Sequence, residues 1–174
     1  ETFTMASGSY EVEISSTYAS TIRSISFEGT MLGARTGFYG TIFCPASGKY
    51  IGAGHTEGGV EEVKSTVLEV DGRRVAVEKE KRYEGASLRF TKISLLANLE
   101  LTKVLEVTPG GCTITKTIKA LEDQPAFSLY LYQFGWSTAT KEWIAELADG
   151  SMQEGVFLDD NGWRLSQDIR WTAL

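Results

Sequence analysis

LELTKVLEVTPGGCTITKTIKAL, residues 99–121, is the stretch on which the fold turns. Residues 99–108 and 112–121 make two β-strand segments, and Pro109-Gly110-Gly111 between them is a turn. In the second arm Thr113, Thr115 and Thr117 alternate with Ile114, Lys116 and Ile118, the period of two that sends successive side chains to opposite sheet faces. Threonine-rich arms of this kind suit a pleated, partly exposed sheet. The reading is an antiparallel hairpin.

The same grammar runs outward in both directions. Upstream, residues 62–70 and 75–84 read as two strands joined at Asp71-Gly72, a dipeptide that favours the turn of a tight hairpin. Glu69, Arg73, Arg74, Glu78, Lys79, Glu80, Lys81 and Arg82 lie on this hairpin, and opposed charges there serve to solvate a sheet face. Residues 88–95 make the next strand. Nearer the amino terminus, Tyr10, Val12 and Ile14 alternate with Glu11, Glu13 and Ser15, and residues 22–27 form a second strand closed by Glu28-Gly29. Residues 31–36 read as irregular. Residues 38–43 are aromatic and β-branched enough for a strand, which Cys44-Pro45 stops.

Downstream, residues 126–134 carry Tyr130, Tyr132 and Phe134 on one side and Phe127, Leu129 and Leu131 on the other. A strand apolar on both faces is expected in the centre of packed layers. Residues 137–147 are the one candidate helix, with Ala139, Trp143 and Leu147 at four-residue spacing. Glu142 and Glu146 would then share a helix face, where a solvated surface outweighs paired-carboxylate glycosidic chemistry. Residues 163–174 look extended. At least nine short strands with frequent turns and almost no helical period indicate an all-β, antiparallel β-sandwich.

Composition narrows the function. A chain of 174 residues is expected to fold as a single domain, residues 1–174. A net charge of −6 argues against nucleic acid or an anionic membrane surface as partner, since phosphate binding needs a basic footprint. No apolar run approaches the roughly 20 residues of a membrane-spanning helix. The chain opens on Glu1, which leaves localisation open. Two cysteines, Cys44 and Cys112, are expected as free buried thiols; bridged, they would close a long loop and add about 4 kcal/mol.

The segment GAGHTEGG, residues 52–59, holds the one histidine of the chain, His55. Four glycines in eight residues mark unusual backbone angles or close backbone approach, so this is the loop expected to carry function. His55 with Glu57, Glu61 and Glu62 is too small a set for zinc, and no following helix completes a phosphate cradle, so neither metal nor cofactor is expected. His55 is either a loop histidine bonded to backbone or a ligand-contacting group. Tryptophans in a sandwich are more often core residues, and Trp136 and Trp143, with Ser, Thr and Lys neighbours, are the better candidates for the stacking faces that sugars use.

Three features together resemble the amino-terminal half of galactose-mutarotase-like, or aldose epimerase-like, proteins. They are His55-Thr56-Glu57-Gly58-Gly59 with the strand and hairpin after it, the ribbon of residues 99–125, and the exit strand DIRWTAL. The resemblance implies a partial two-sheet supersandwich that acts on or binds carbohydrate, with residues 1–174 the first portion of a longer domain. It implies a saccharide-binding set of His55, Glu57, Arg35, Lys49, Gln133, Trp136 and Trp143, with Arg35 and Lys49 assisting if the sugar is acidic. His55 would be the catalytic proton carrier, its neutral-range pKa suiting mutarotation. A second histidine expected near residues 133–137 is replaced by Gln133 and Trp136, so binding rather than catalysis is the first expectation. The alternatives are an epimerase or polysaccharide-lyase-related enzyme whose base lies elsewhere, and a structural protein that dimerises through its apolar exit strand.

Overall fold

In a computed structural model the described residues are 1–33, 40–52, 61–132, 135–157 and 168–173. Their strands begin with β1 (Thr2–Ser7), β2 (Tyr10–Ser15), β3 (Thr21–Phe27), β4 (Thr30–Gly33), β5 (Ile42–Pro45) and β6 (Ile51–Gly52). The central strands are β7 (Glu62–Val70), β8 (Arg73–Val75), β9 (Arg82–Glu84), β10 (Leu88–Leu96), β11 (Leu99–Thr108) and β12 (Gly111–Ala120). The last are β13 (Ala126–Tyr130), β14 (Glu142–Leu147), β15 (Met152–Val156) and β16 (Ile169–Ala173). Among the described residues a single 3-10 turn, Ser16–Tyr18, interrupts the strands. The chain is all-β, and its compact units are Glu1–Gly135 and Trp136–Leu174.

The first unit holds two five-stranded sheets, ordered β4-β3-β2-β1-β9 and β12-β11-β10-β7-β8, and a three-stranded sheet β13-β5-β6. The β11–β12 ribbon is the expected hairpin, in unbroken register from Leu99↔Ala120 to Thr108↔Gly111. Asp71 and Gly72 both take left-handed backbone angles (φ 49° and 77°), the signature of the tight turn between β7 and β8. Glu28 and Gly29 (φ 49° and 76°) do the same between β3 and β4. Of the irregular segment expected over residues 31–36, residues 31–33 therefore belong to a strand, and residues 34–36 lie outside the described residues.

Apolar faces of the two large sheets meet. Phe3, Met5, Val12, Ile14, Ile22 and Tyr83 from one pack with Leu68, Leu88, Phe90, Leu105 and Val107 from the other. Phe90 is fully buried and meets Phe3 edge-to-face at 5.4 Å between ring centroids. Each such side chain gains about 1.5–3 kcal/mol on leaving water. Sheet on sheet with a shared interior is the sandwich-like arrangement that the alternation predicts.

Besides β4, and β15, which no expected strand covers, four elements depart from the sequence reading. β1 was not among the expected strands, yet it is buried along nearly its whole length between β2 and β9. Residues 75–84 are not one strand: β8 ends at Val75, and the chain then crosses to the opposite sheet, where β9 pairs in parallel with β1. The charged run Glu78-Lys79-Glu80-Lys81 cannot face an apolar interior, so it bridges the layers at the surface. Tyr83 holds that crossing, its hydroxyl donating to the Ala76 carbonyl (2.6 Å) and accepting from the Glu78 N–H (2.7 Å).

The third departure is β13. It borders the small sheet beside β5 rather than lying at a centre, and Phe127 is 74% exposed. The fourth is the expected helix, within which residues 142–147 form the strand β14. Cys44 and Cys112 are both unbridged, and burial pushes the Cys112 thiol up to about 11. Of the strand expected over residues 38–43, residues 38 and 39 lie outside the described residues.

Candidate functional site

Along the buried face of β10 the side chains run Leu88, Phe90, Lys92, Ser94, Leu96; along β11 they run Leu99, Leu101, Lys103, Leu105, Val107. Lys92 and Lys103 are therefore in phase with core residues. They are also cross-strand partners, and Lys103 is in turn the partner of Lys116 on β12. Three amines thus stand in a row across three adjacent strands, with about 5 Å between neighbouring Cβ positions.

This row divides the apolar face in two. On one side lies the main core; on the other Leu96, Leu99 and Leu101 pack with Phe43, Ile51 and Ile118. The polar seam thus falls between two hydrophobic clusters.

Each amine has different partners. Lys92 donates to the Ala19 carbonyl (2.8 Å) and pairs with Glu61, whose carboxylate also accepts from Ser94 Oγ. The Lys92 and Glu61 side chains are only 4% and 2% exposed. Lys116 donates to Thr41 Oγ1 (2.9 Å) and to the Leu131 carbonyl, and its Nζ lies 4.2 Å from the Tyr132 ring centroid. Lys103, itself buried, donates to the Ser20 carbonyl at 2.9 Å.

The acceptors Ala19 and Ser20 form a corner in left-handed conformation (φ 52° for both), where carbonyls turn inward. Two of the lysines thereby tie the start of β3 to the opposite sheet.

Burial without full pairing pushes the amines towards neutrality. Desolvation lowers Lys92 despite Glu61, and it holds Lys103 well below the usual lysine range, with Lys92 and Lys116 adding repulsion. Lys116 falls to about 8, mainly through burial and then through Lys92. Among the described residues, a cavity of about 10 Å³ is bordered by all three lysines and by Glu61, Thr21, Gly40 and Thr41. That space takes one water-sized group.

The second unit carries a larger opening. A groove of about 510 Å³ is lined by Glu142, Trp143, Ile144, Glu154, Gly155, Val156 and Ala173. It lies on the sheet ordered β15-β14-β16. In the β14–β15 register Glu142 faces Val156 and Ile144 faces Glu154, so these four share one face. Trp143 is opposite Gly155, and its indole lies so close that a Cβ at Gly155 would sit 2.7 Å from a ring atom. Glycine is required there because the indole occupies the space of a side chain.

Among the sequence-predicted site residues, Trp143 lines this groove and Trp136, at the start of the same unit, is 38% exposed. Lys49 sits exposed in the turn between β5 and β6. Arg35, His55, Glu57 and Gln133 lie outside the described residues. Glu142 and Glu146 do not form a helical pair. They are four apart on a strand, about 13 Å along it, and Glu146 is engaged by Arg170 (2.7 Å) and the Trp171 indole N–H.

The lysine row was absent from the sequence expectations. Its signal was present: Lys92, Lys103 and Lys116 each hold an inward position within an alternating apolar run.

Among the described residues no group of three or more His, Cys, Asp and Glu could hold a metal ion. Comparison with known proteins gives no matching family model, no matching curated protein and no matching solved structure.

Proposed function

We propose that this chain is a carbohydrate-interacting β-sandwich protein of galactose-mutarotase-like type, binding a saccharide on the outward face of β14 and β15. The groove over that face carries the reading. Its volume of about 510 Å³ falls in the range of small-ligand sites. Its lining combines the aliphatic side chains of Ile144 and Val156 with the carboxylates of Glu142 and Glu154, while the Trp143 indole lies on the opposite face of the strand. Apolar surface can cover the C–H face of a sugar ring, and ionised carboxylates accept charge-assisted bonds from its hydroxyls.

Tryptophan fluorescence and amide NMR shifts, recorded on the purified chain against neutral, amino and acidic saccharides, test the proposal. The expected result is a saturable change with one class, centred on residues 142–144 and 154–156 and reduced at least tenfold in affinity by Glu154→Gln with Glu142→Gln. No response to any class at millimolar concentration would overturn it.

Self-association is the second reading, and one observation favours it. β16 pairs with β14 on one side, and its Ile169 and Trp171 are 41% and 44% exposed. An apolar edge strand of this kind templates pairing with a second chain. It predicts a mass that rises with concentration in light scattering and falls back when Trp171 is replaced by lysine. A constant monomer mass would count against it.

A further inference from the structure

We propose, on the footing of the saccharide site above, that its ligand is an amino sugar whose protonated amine is held by Glu142 and Glu154. Strand register fixes the arrangement. Glu142 faces Val156 and Ile144 faces Glu154, so the two carboxylates take one diagonal of a four-residue patch and the two aliphatic side chains take the other. Diagonal neighbours of this kind lie about 7–8 Å apart, near enough for one ligand to meet both. Ala173, the partner of Ile144 on β16, extends the apolar part of the groove.

Both carboxylates are available to a ligand. On the same face Glu146 is engaged by Arg170 and by the Trp171 indole N–H, whereas Glu142 and Glu154 have no ion-pair partner among the described residues. The sequence around them is acidic as well. Residues 136–174, all of the second unit, hold seven carboxylate side chains against three cationic ones, Lys141, Arg164 and Arg170. Arg170 is already committed to Glu146.

Charge then selects among saccharides. An acidic sugar would bring like charge to a pair of carboxylates. A neutral sugar offers hydroxyl donors, which carry no charge of their own. An ammonium offers three N–H donors and no acceptor, and it adds full Coulomb attraction to each hydrogen bond it makes with a carboxylate. The C–H face of the ring has Ile144, Val156 and Ala173 to lie on, surface that a bare amine leaves unused.

Isothermal titration calorimetry of the full chain at pH 6 tests the assignment with glucosamine, glucose and N-acetylglucosamine. These share one ring, and only the first carries a charged amine. Glucosamine should bind at least tenfold more tightly than either of the others, and the margin should shrink as sodium chloride is raised. Glu142→Gln with Glu154→Gln should remove the margin, and ethanolamine at equal concentration should not compete. Equal affinities for the three sugars, or a preference that survives the double replacement, would overturn the amine assignment while leaving the saccharide site standing. Competition by ethanolamine as effective as by glucosamine would overturn it too, because the ring would then go unrecognised. No binding of any sugar would remove the site and the assignment together.

Discussion

Replacing Glu61 with glutamine removes one charge and leaves the shape of the side chain in place. In the folded chain that charge lies beside Lys92, and the two side chains are 2% and 4% exposed. An exposed ion pair contributes about 0–1 kcal/mol, whereas breaking a buried one by deleting one partner costs about 3–5 kcal/mol, because the surviving charge is left uncompensated. Glu61→Gln belongs to the second case, and its surroundings push it towards the upper end. Lys103 stands directly opposite Lys92, and Ser94 Oγ also loses an ionic acceptor.

The assay is urea unfolding at pH 7, followed by tryptophan fluorescence and far-UV dichroism. The midpoint should fall with the slope unchanged, giving a loss of about 3–5 kcal/mol. For a unit of this size the loss corresponds to on the order of 10–20 °C in thermal midpoint. The double replacement Glu61→Leu with Lys92→Met should recover most of it, since two well-packed apolar groups cost little compared with a broken pair. A loss below about 1 kcal/mol for Glu61→Gln would show that the pair is solvated, and the account of a dry lysine row would fail.

Titration gives a second test, in which Lys116 and Cys112 contribute with opposite sign beside the lowered Lys92 and Lys103. Lys116 holds its proton less tightly when folded, its pKa lowered from 10.5 to about 8. Its contribution to stability is full above pH 10.5 and is lost as pH falls to about 8. Cys112 does the reverse: raised from 9.0 to about 11, it contributes fully below pH 9 and is lost as pH climbs to about 11. In unfolding curves at successive pH values, and relative to the unsubstituted chain, Cys112→Ala should therefore gain stability progressively from pH 9 to about 11, and Lys116→Met should lose it progressively from about pH 8 to 10.5. A separate prediction concerns the second unit. Gly155→Ala places a Cβ 2.7 Å from a Trp143 ring atom, so the indole must move, at a cost of about 1–3 kcal/mol and a changed tryptophan emission.

Much of the sheet structure was legible because alternation survives wherever one face is buried. β10, β11 and β12 show it most clearly, and the Asp71-Gly72 and Glu28-Gly29 turns close hairpins as their residue types demand. The false helix arose from an ambiguity of period. Ala139, Trp143 and Leu147 recur every four residues, which suits both a helix face and every second inward position of a strand. Ala145, fully buried between Trp143 and Leu147, would have decided for the strand. The parallel pairing of β1 with β9 could not be read locally, because Thr4 and Arg82 meet only in three dimensions.

The polar row was legible in principle. A lysine in phase with Leu88 and Phe90, another with Leu101 and Leu105, and a third between Ile114 and Ile118 each break an apolar alternation at its centre. What no single segment reveals is that hairpin register brings the three side by side. The groove of the second unit was half visible, through Trp143, while its carboxylate partner Glu154 depends on the β14–β15 pairing.

The crossing between β8 and β9 has a bearing on how the first unit comes apart. Within a dozen residues the chain belongs first to one large sheet and then to the other, where it zips onto the amino-terminal strand. Neither sheet can shed its strands one at a time from that side without pulling on its neighbour. Peeling β1 away would also strip Phe3 and Met5 from the shared interior. The amides of β1 should thus exchange with deuterium only as fast as the whole unit opens.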